Sequence, residues 1–137
     1  MLRAGVLVLL LAVAAGVGLW RRRVDGRSRA VRDGVHVTAA ELGTGLGARA
    51  TLLQFSAPVC APCRAAHRVL SGVAESVPGI VHVELDAGDH LDLARRLDVL
   101  RTPTVIVLSP DGRVVARAAG VPTRPQVAEA LALAMAA

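Results

Sequence analysis

The sequence predicts an α/β domain whose mixed sheet carries helices on both faces, preceded by one N-terminal transmembrane helix. Three observations lead to this fold class. Residues 4–20 contain no charged side chain, and segments with strand and helix periodicity alternate from residue 35 onwards. Two cysteines with the spacing Cys-x-x-Cys lie where a predicted strand gives way to a predicted helix. With 137 residues, the chain has room for one compact domain and one appendage.

Residues 1–20 are predicted to form the membrane anchor. As a helix, the uncharged stretch 4–20 would be about 25 Å long, near the lower limit for crossing about 30 Å of hydrocarbon. Trp20 suits the membrane interface, and Arg3 and Arg21 can extend their charged groups toward the headgroups. We therefore expect the lipid bilayer to be a partner of this segment.

Two other interpretations of residues 1–20 compete with an uncleaved membrane anchor. One is a cleaved signal peptide, for which the Ala-Val-Ala sequence at 12–14 offers a small-residue site, and the other is a buried helix of a soluble fold. Three consecutive arginines at 21–23 argue against both. One arginine precedes the apolar stretch, and six follow it within the first 32 residues. The positive-inside rule therefore predicts a single-pass protein of the cell membrane with its domain on the cytoplasmic side.

The charge distribution separates the N-terminal part of the chain from the rest. Residues 1–32 hold seven arginines and one aspartate, whereas residues 33–137 hold nine arginines and ten carboxylates. Residues 21–34 are predicted to be a basic juxtamembrane linker that can lie against anionic headgroups. The domain has no excess of positive charge to attract phosphate and almost no aromatic side chains on which bases could stack. We expect no nucleic-acid partner.

Residues 35–137 are predicted to form the domain, in the order β, loop, β, α, β, α, β, β, α. Continuous apolar or β-branched runs predict the strands, which are 35–37, 50–55, 80–85, 104–108 and 114–118. The segment 109–112 fits a type I turn between the last two strands.

Three helices are predicted between and after these strands. The first spans residues 60–77, where apolar residues recur at helical spacing. Asp89 can cap a short second helix whose buried side chains are Leu93, Leu97 and Leu100. A capping box at 123–126 opens the last helix, which carries Val127, Leu131 and Leu133.

The spacing of Cys60 and Cys63 indicates redox or metal chemistry, because two cysteines three residues apart cannot staple a fold. A helix N-terminus carries partial positive charge and free N–H groups, both of which favour a thiolate. We therefore expect a depressed pKa for Cys60, at the start of the predicted helix, and a nucleophilic role. Cys63, one turn further in, is expected to resolve the resulting mixed disulfide. Pro62 is compatible with the first helical turn.

A zinc site is the competing interpretation of the two cysteines. A closed zinc site needs about four ligands, and of the four histidines only His67 lies near the pair in sequence. We therefore expect no metal at this site. His67 is predicted to be a partly exposed helix residue, and Glu84 and Asp86 are predicted to be structural or surface carboxylates.

Over residues 35–137 the sequence resembles the thioredoxin family. Four features carry the resemblance: the Cys-Ala-Pro-Cys motif at 60–63, Asp86 at the end of the next strand, the segment Thr102-Pro103-Thr104 before a strand, and Gly120 after the hairpin. The resemblance implies that Pro103 is cis and faces the dithiol, and that Thr102 offers backbone hydrogen bonds to an extended substrate. It also implies that the motif neighbours Val59, Ala61 and Pro62 contact the substrate.

Two positions depart from the family pattern. Val59 stands where the family usually has tryptophan, and Gln54 stands where the family buries an acid that helps to move the proton of the resolving thiol. Because an amide does not titrate, proton transfer from Cys63 would need water or another group. We expect a slower or differently specific enzyme.

Together these features predict a membrane-tethered thiol–disulfide oxidoreductase that reduces protein disulfides at the cytoplasmic membrane surface. The resemblance implies no bound organic cofactor, so electrons must come from a separate reductase or thiol carrier. Two alternatives stay open. A domain facing outward would serve disulfide formation, isomerisation or cytochrome-type thiol maturation. A non-enzymatic binding module would dock a membrane partner through the groove around Pro103.

Overall fold

The computed structural model describes residues 2–31 and 34–136. In these two ranges the helices are α1 (Leu2–Val24), α2 (Ala39–Leu42), α3 (Ala61–Ser76), α4 (Leu91–Arg96) and α5 (Arg124–Met135). The strands are β1 (Arg29–Ala30), β2 (Ala50–Ser56), β3 (Ile80–Asp86), β4 (Thr104–Leu108) and β5 (Val114–Ala119).

The strands form one mixed sheet, as predicted, and their order in it is β1-β5-β4-β2-β3. Strand β2 runs parallel to β3, and the other pairings are antiparallel. Gln54 of β2 therefore lies opposite Glu84 on β3 and opposite Val105 on β4. This register places one amide and one carboxylate side by side near the end of the sheet where α3 begins.

Helices cover both faces of the sheet, which confirms the predicted fold class of the domain. On one face, Leu70 of α3 and Leu131 of α5 belong to a single apolar cluster. On the other face, Leu42 of α2 and Leu93 of α4 belong to a second cluster. Strand β2 lies between these layers and is buried at every position. Because side chains alternate along a strand, Gln54 points to the face that α3 covers.

The predicted capping box of α5 and the predicted turn between β4 and β5 are both present. Thr123 begins α5 with a capping box: its hydroxyl accepts from the Gln126 N–H, and its own N–H donates to the Gln126 side chain at 2.8 Å. In the predicted turn, the Gly112 N–H donates to the Ser109 carbonyl at 2.9 Å. Gly112 has a φ of +86°, and a Cβ at this position would lie 2.2 Å from the Val37 carbonyl oxygen. The turn therefore requires glycine.

The structure corrects the prediction for 35–37. An isolated bridge from His36 to Arg113 is present there instead of a strand. The free edge of β5 pairs instead with β1, in antiparallel orientation, with Arg29 opposite Arg117 and Ala30 opposite Ala116. This pairing uses main-chain groups, so it has no apolar signature in the sequence.

The second predicted helix is shorter than expected. Its N-cap residue is His90, without a side-chain capping bond, and not Asp89. The helix ends at Arg96, and Asp98 then adopts a positive φ of 50°, which turns the chain out of the helical direction. Leu100 consequently lies beyond the helix and is 93% exposed. The prediction that Leu100 is buried was wrong.

The last helix carries Val127, Leu131 and Leu133, as predicted, but not all three are buried. Val127 and Leu131 are buried as part of the core, together with Ala130 and Ala134. Leu133 is exposed, because it lies about 160° around the helix from the buried Leu131.

The N-terminal region departs from its prediction in two ways. In residues 2–31 and 34–136, no helix has both the length and the apolarity needed to cross a membrane, so the predicted transmembrane helix is not confirmed. The predicted linker 21–34 is also more structured than expected. Helix α1 continues to Val24, and Arg29–Ala30 belongs to the sheet, while residues 32 and 33 lie outside the described ranges.

Two contacts fix the end of α1 to the domain. The Gly26 N–H donates to the Ala119 carbonyl at 2.9 Å. The Arg101 guanidinium donates to the Asp25 carboxylate at 2.8 Å. Together with the β1–β5 pairing, these contacts make the segment after α1 part of the domain surface.

Candidate active site

The two cysteines lie at the strand-to-helix junction predicted for them. Cys60 is the N-cap residue of α3, with an extended backbone (φ −144°, ψ 97°). A disulfide joins it to Cys63, with 5.2 Å between the two Cα atoms. The Cys63 N–H donates to Cys60 Sγ at 3.2 Å. The Cys60 sulfur therefore lies where free N–H groups and the helix dipole stabilise negative charge.

The two sulfurs differ in their access to solvent. Cys60 is partly exposed, whereas Cys63 is only 3% exposed and belongs to the buried side of α3. Ala61 and Pro62 are exposed at the start of the helix, and Val59, directly before the motif, is 97% exposed. An incoming molecule can thus reach Cys60 and its apolar neighbours but not Cys63.

The Thr102–Pro103 peptide bond is cis, as the family resemblance implied. Pro103 is buried, and its carbonyl accepts from the Gly120 N–H at 2.8 Å. Phe55 of β2 is opposite Thr104 of β4, so the segment before β4 and the segment after β2 lie at the same end of the sheet. Pro103 and the disulfide therefore share this end, and Thr102 is partly exposed beside them.

A polar network lies behind the disulfide, centred on the fully buried Gln54. The Gln54 Nε2 group is 2.9 Å from the Cys63 carbonyl, 2.8 Å from the Ser56 hydroxyl and 3.0 Å from Glu84 Oε1. The Ser56 hydroxyl donates a short hydrogen bond to the same Glu84 oxygen. These acceptors fix the orientation of the Gln54 amide, because a flipped amide would turn its oxygen toward other oxygens.

Two histidines complete this network. His67 of α3 has its Nδ1 atom 2.7 Å from Glu84 Oε2. His82 of β3 has its Nε2 atom 3.2 Å from Gln54 Oε1, and its ring centroid is 5.0 Å from that of His67. Burial lowers the pKa of His82 to about 4; the nearby His67 adds to this effect, and Glu84 opposes it. His82 is therefore neutral near pH 7, with Nε2–H donating to the amide.

Sequence reasoning located the cysteines and Pro103 but missed this network. The half-exposed His67 lies on α3 as expected, with a side chain 49% exposed. Glu84 is more than a surface carboxylate, because it accepts hydrogen bonds from three side chains. The strand register that brings Glu84 beside Gln54 is a tertiary property, and the sequence shows only that both lie on strands. In the described part of the chain, no group of three or more metal-binding side chains is arranged around a common point.

The match to known families agrees with this geometry. The thioredoxin family model matches residues 35–132. The chain belongs to the thioredoxin family. The matched range contains β2 to β5, the disulfide, the cis-proline and the network behind them.

Individual relatives match parts of the chain. A thioredoxin of Ophiophagus hannah is 34% identical over 58 residues, which make up 42% of this chain and 55% of that protein. An Arabidopsis thaliana protein named as a thioredoxin is 32% identical over 72 residues, 53% of this chain and 46% of that protein. The chain thus spans about half the length of these relatives.

Solved structures share the fold at lower identity. Chloroplastic thioredoxin z has a TM-score of 0.60 and 23% identity, over 80% of this chain and all of that one. The thioredoxin of Fasciola hepatica has a TM-score of 0.54 and 19% identity, over 87% of this chain and 91% of that one. At these identities the likeness shows the thioredoxin fold.

Proposed function

We propose that this protein is a thiol–disulfide oxidoreductase that reduces disulfides in other proteins through Cys60 and Cys63. The observation that carries the proposal is the asymmetric pair at the start of α3. The Cys60 sulfur is accessible and receives the Cys63 N–H at 3.2 Å, whereas the Cys63 side chain is buried. Access and thiolate stabilisation are the properties of an attacking cysteine.

The reaction proceeds as two exchanges. The Cys60 thiolate attacks one sulfur of a substrate disulfide, forming a mixed disulfide and releasing the other substrate sulfur as a thiolate. Cys63 then attacks Cys60 Sγ, which restores the Cys60–Cys63 bond and releases the second substrate sulfur. The substrate gains two electrons, so a separate thiol carrier or reductase must reduce the pair again.

The surface around Cys60 favours an extended apolar segment of a partner protein. Val59, Ala61 and Pro62 are exposed around the disulfide. Thr102, beside the cis-proline, offers main-chain groups at the same end of the sheet. We propose that these residues bind the polypeptide flanking the substrate disulfide.

Reduction of insulin disulfides tests this function. The full chain, supplied with dithiothreitol, should accelerate insulin precipitation, and Cys60→Ser should abolish the acceleration. Cys63→Ser should accumulate a mixed disulfide with insulin because the resolving thiol is missing. Wild-type activity in Cys60→Ser would contradict the role of Cys60, and no acceleration by the wild type would favour a binding module instead.

We further propose that α1 holds the protein at the cell membrane, with its apolar side chains in lipid and the domain at the cytoplasmic face. Between Val6 and Trp20, the large apolar side chains of α1 are 45–66% exposed. Exposing so much apolar surface to water is unfavourable, and lipid would remove it from water. The arginines after this stretch would meet the anionic lipids of the cytoplasmic leaflet, and thiols are kept reduced on that side of the membrane. This location is the reason for proposing reduction over oxidation.

Fractionation and labelling test this location. The full chain should sediment with membranes, and Leu9→Arg should weaken that association, whereas Leu91→Arg, at an exposed position of α4, should not. In reduced samples, a membrane-impermeant maleimide should label Cys60 after the cells are opened. Labelling of Cys60 in intact cells would contradict a cytoplasmic domain, and an unaltered distribution of Leu9→Arg would contradict the role of α1.

A further inference from the structure

The resolving half of the proposed reaction needs a group that accepts a proton from Cys63. A thiol must lose its proton before it attacks a disulfide, because the thiolate is the nucleophile. Gln54, which lies directly behind Cys63 and donates to its carbonyl at 2.9 Å, has no titratable group. The proton acceptor must therefore be another part of the polar network.

His67 is placed one helical turn after Cys63. Side chains four residues apart on a helix are neighbours, with about 5–6 Å between their Cβ atoms, and they lean toward the helix N-terminus. The imidazole of His67 therefore leans along α3 toward the turn that holds Cys63. Its side chain is 49% exposed, so it can exchange protons with solvent.

Glu84 fixes which nitrogen of His67 is free. Its Oε2 atom is 2.7 Å from His67 Nδ1, so in neutral His67 the proton lies on Nδ1 and Nε2 is the basic nitrogen. Glu84 is itself held by the Gln54 amide at 3.0 Å and by the Ser56 hydroxyl. A carboxylate in this position orients the imidazole and stabilises the imidazolium that forms when Nε2 takes up a proton.

We propose that the His67–Glu84 pair takes up the proton that Cys63 releases when it resolves the mixed disulfide, so that this pair replaces the buried acid missing at position 54. This inference rests on the proposed function. Cys63 Sγ–H gives its proton to His67 Nε2, directly or through one water, and the Cys63 thiolate attacks Cys60 Sγ. The Cys60–Cys63 bond forms, the bond from Cys60 to the substrate sulfur breaks, and that sulfur leaves as a thiolate. The imidazolium then returns the proton to the leaving thiolate or to solvent.

The other polar groups around the pair do not compete for this role. His82 lies beside His67 but stays neutral above about pH 5, because burial lowers its pKa to about 4. Arg64, three residues before His67 on α3, is permanently charged. The groups that contact the pair are His82 of β3, whose ring centroid lies 5.0 Å from that of His67, Ser71 of α3, which donates to the His67 carbonyl, and Gln54 and Ser56 of β2, which donate to Glu84.

Reaction with 5,5′-dithiobis(2-nitrobenzoate) isolates the resolving step in the full chain. Reduced protein releases one thionitrobenzoate as Cys60 forms the mixed disulfide, and a second as Cys63 resolves it. The rate of the second phase does not depend on reagent concentration, so it reports Cys63 alone. In the wild type this rate should rise with pH and then reach a plateau, as expected for a step assisted by a general base.

The central variant is His67→Asn, whose amide nitrogen can still donate to Glu84 but cannot take up a proton. It should slow the second phase at pH 7 by about tenfold or more, which is less than a full general-base contribution because water can replace part of it. It should also remove the plateau, so that the rate rises continuously with pH. His36→Asn is the matched control, because His36 also faces a carboxylate, that of Asp111 at 3.6 Å, on another part of the surface, and it should behave as wild type.

Glu84→Gln gives an independent readout if His67→Asn does not fold. It should slow the second phase, because the imidazole loses the carboxylate that orients it through Nδ1. A second phase in His67→Asn with the wild-type rate and pH profile would overturn the proposal. Slowing by the same factor at every pH would also overturn it, because that result indicates a structural role only. Failure of the proposed function would give a different result, namely no insulin reduction by the wild type, so the two failures can be distinguished.

Discussion

Helix α1 and strand β2 both contain runs of large apolar side chains, and these meet opposite environments. The large apolar side chains of α1 between Val6 and Trp20 are exposed, whereas all seven positions of β2 are buried between two helical layers. The difference teaches that apolar content alone does not place a segment in the core. The neighbours of β2 on both edges and both faces bury it, whereas α1 is attached to the domain through the segment that follows it. The two stretches should therefore respond differently to the same kind of substitution.

The largest contrast is expected from truncating an apolar side chain in each stretch. Phe55 of β2 is fully buried and Leu9 of α1 is 64% exposed. Phe55→Ala should lower the free energy of unfolding by about 3–5 kcal/mol, because it leaves a cavity in the core. Leu9→Ala should change it by less than about 0.5 kcal/mol. Urea denaturation of both variants measures the contrast, and equal losses would show that α1 packs as part of the core.

His82 of β3, which donates to Gln54 of β2, should make stability depend on pH. The folded state lowers the pKa of His82 from 6.5 to about 4, chiefly by burial. Between these values the unfolded chain binds the proton more readily, so stability decreases as the pH falls from about 6.5 to about 4. The loss attributable to His82 is at most about 3 kcal/mol. His82→Gln can still donate to Gln54 but does not titrate, so its unfolding free energy should fall less steeply over this range. A slope identical to that of wild type would contradict the assignment.

Adding one methyl group should distinguish the two regions again. A Cβ at Gly47, which precedes β2, would lie 2.1 Å from the Ala50 carbonyl oxygen, whereas a Cβ at Gly16 of α1 meets nothing within 4 Å. Gly47→Ala should cost about 1–3 kcal/mol, because the backbone must move. Gly16→Ala should leave the unfolding free energy of the domain unchanged. Differential scanning calorimetry of the two variants tests this, and tolerance of Gly47→Ala would show that the loop before β2 can relax.

The smallest effect is expected where the two regions join. The ion pair of Arg101 with Asp25 has a length of 2.8 Å, but its side chains are 57% and 43% exposed. Arg101→Ala should therefore reduce stability by only about 0.2–1 kcal/mol, and the effect should shrink as salt is added. Arg95→Ala, which breaks an exposed pair at 3.8 Å within α4, is the control. A loss of several kcal/mol in Arg101→Ala would show that the join is a central part of the fold.

Local signals were sufficient where the chain itself specifies a boundary. The strand at 104–108 was predicted with its observed limits, because every residue is apolar or β-branched and a turn sequence follows it. The capping box at 123–126 was visible because it needs only two side chains three residues apart. Cys60 was predicted at the start of α3 for the same reason, since helix periodicity begins directly after it.

Features that depend on distant contacts could not be predicted in this way. Strand β1 pairs through main-chain groups, and its two residues, Arg29 and Ala30, are exposed. The exposure of Leu100 depends on where α4 ends. The network of Gln54, Glu84 and His67 depends on the β2–β3 register and on the position of α3. The family resemblance implied that an acid is missing at position 54, but it did not imply that another carboxylate lies 3.0 Å from the amide.

The reduction potential of the Cys60–Cys63 pair in the full chain, equilibrated with glutathione or dithiothreitol buffers, tests the central claim most directly. A reductase of protein disulfides in the cytoplasm should have a potential near that of thioredoxin, about −270 mV. A value near about −120 mV is characteristic of a strong oxidant that introduces disulfides outside the cytoplasm. The first result is the one predicted, and the second would contradict both the direction of the reaction and the side of the membrane proposed for the domain.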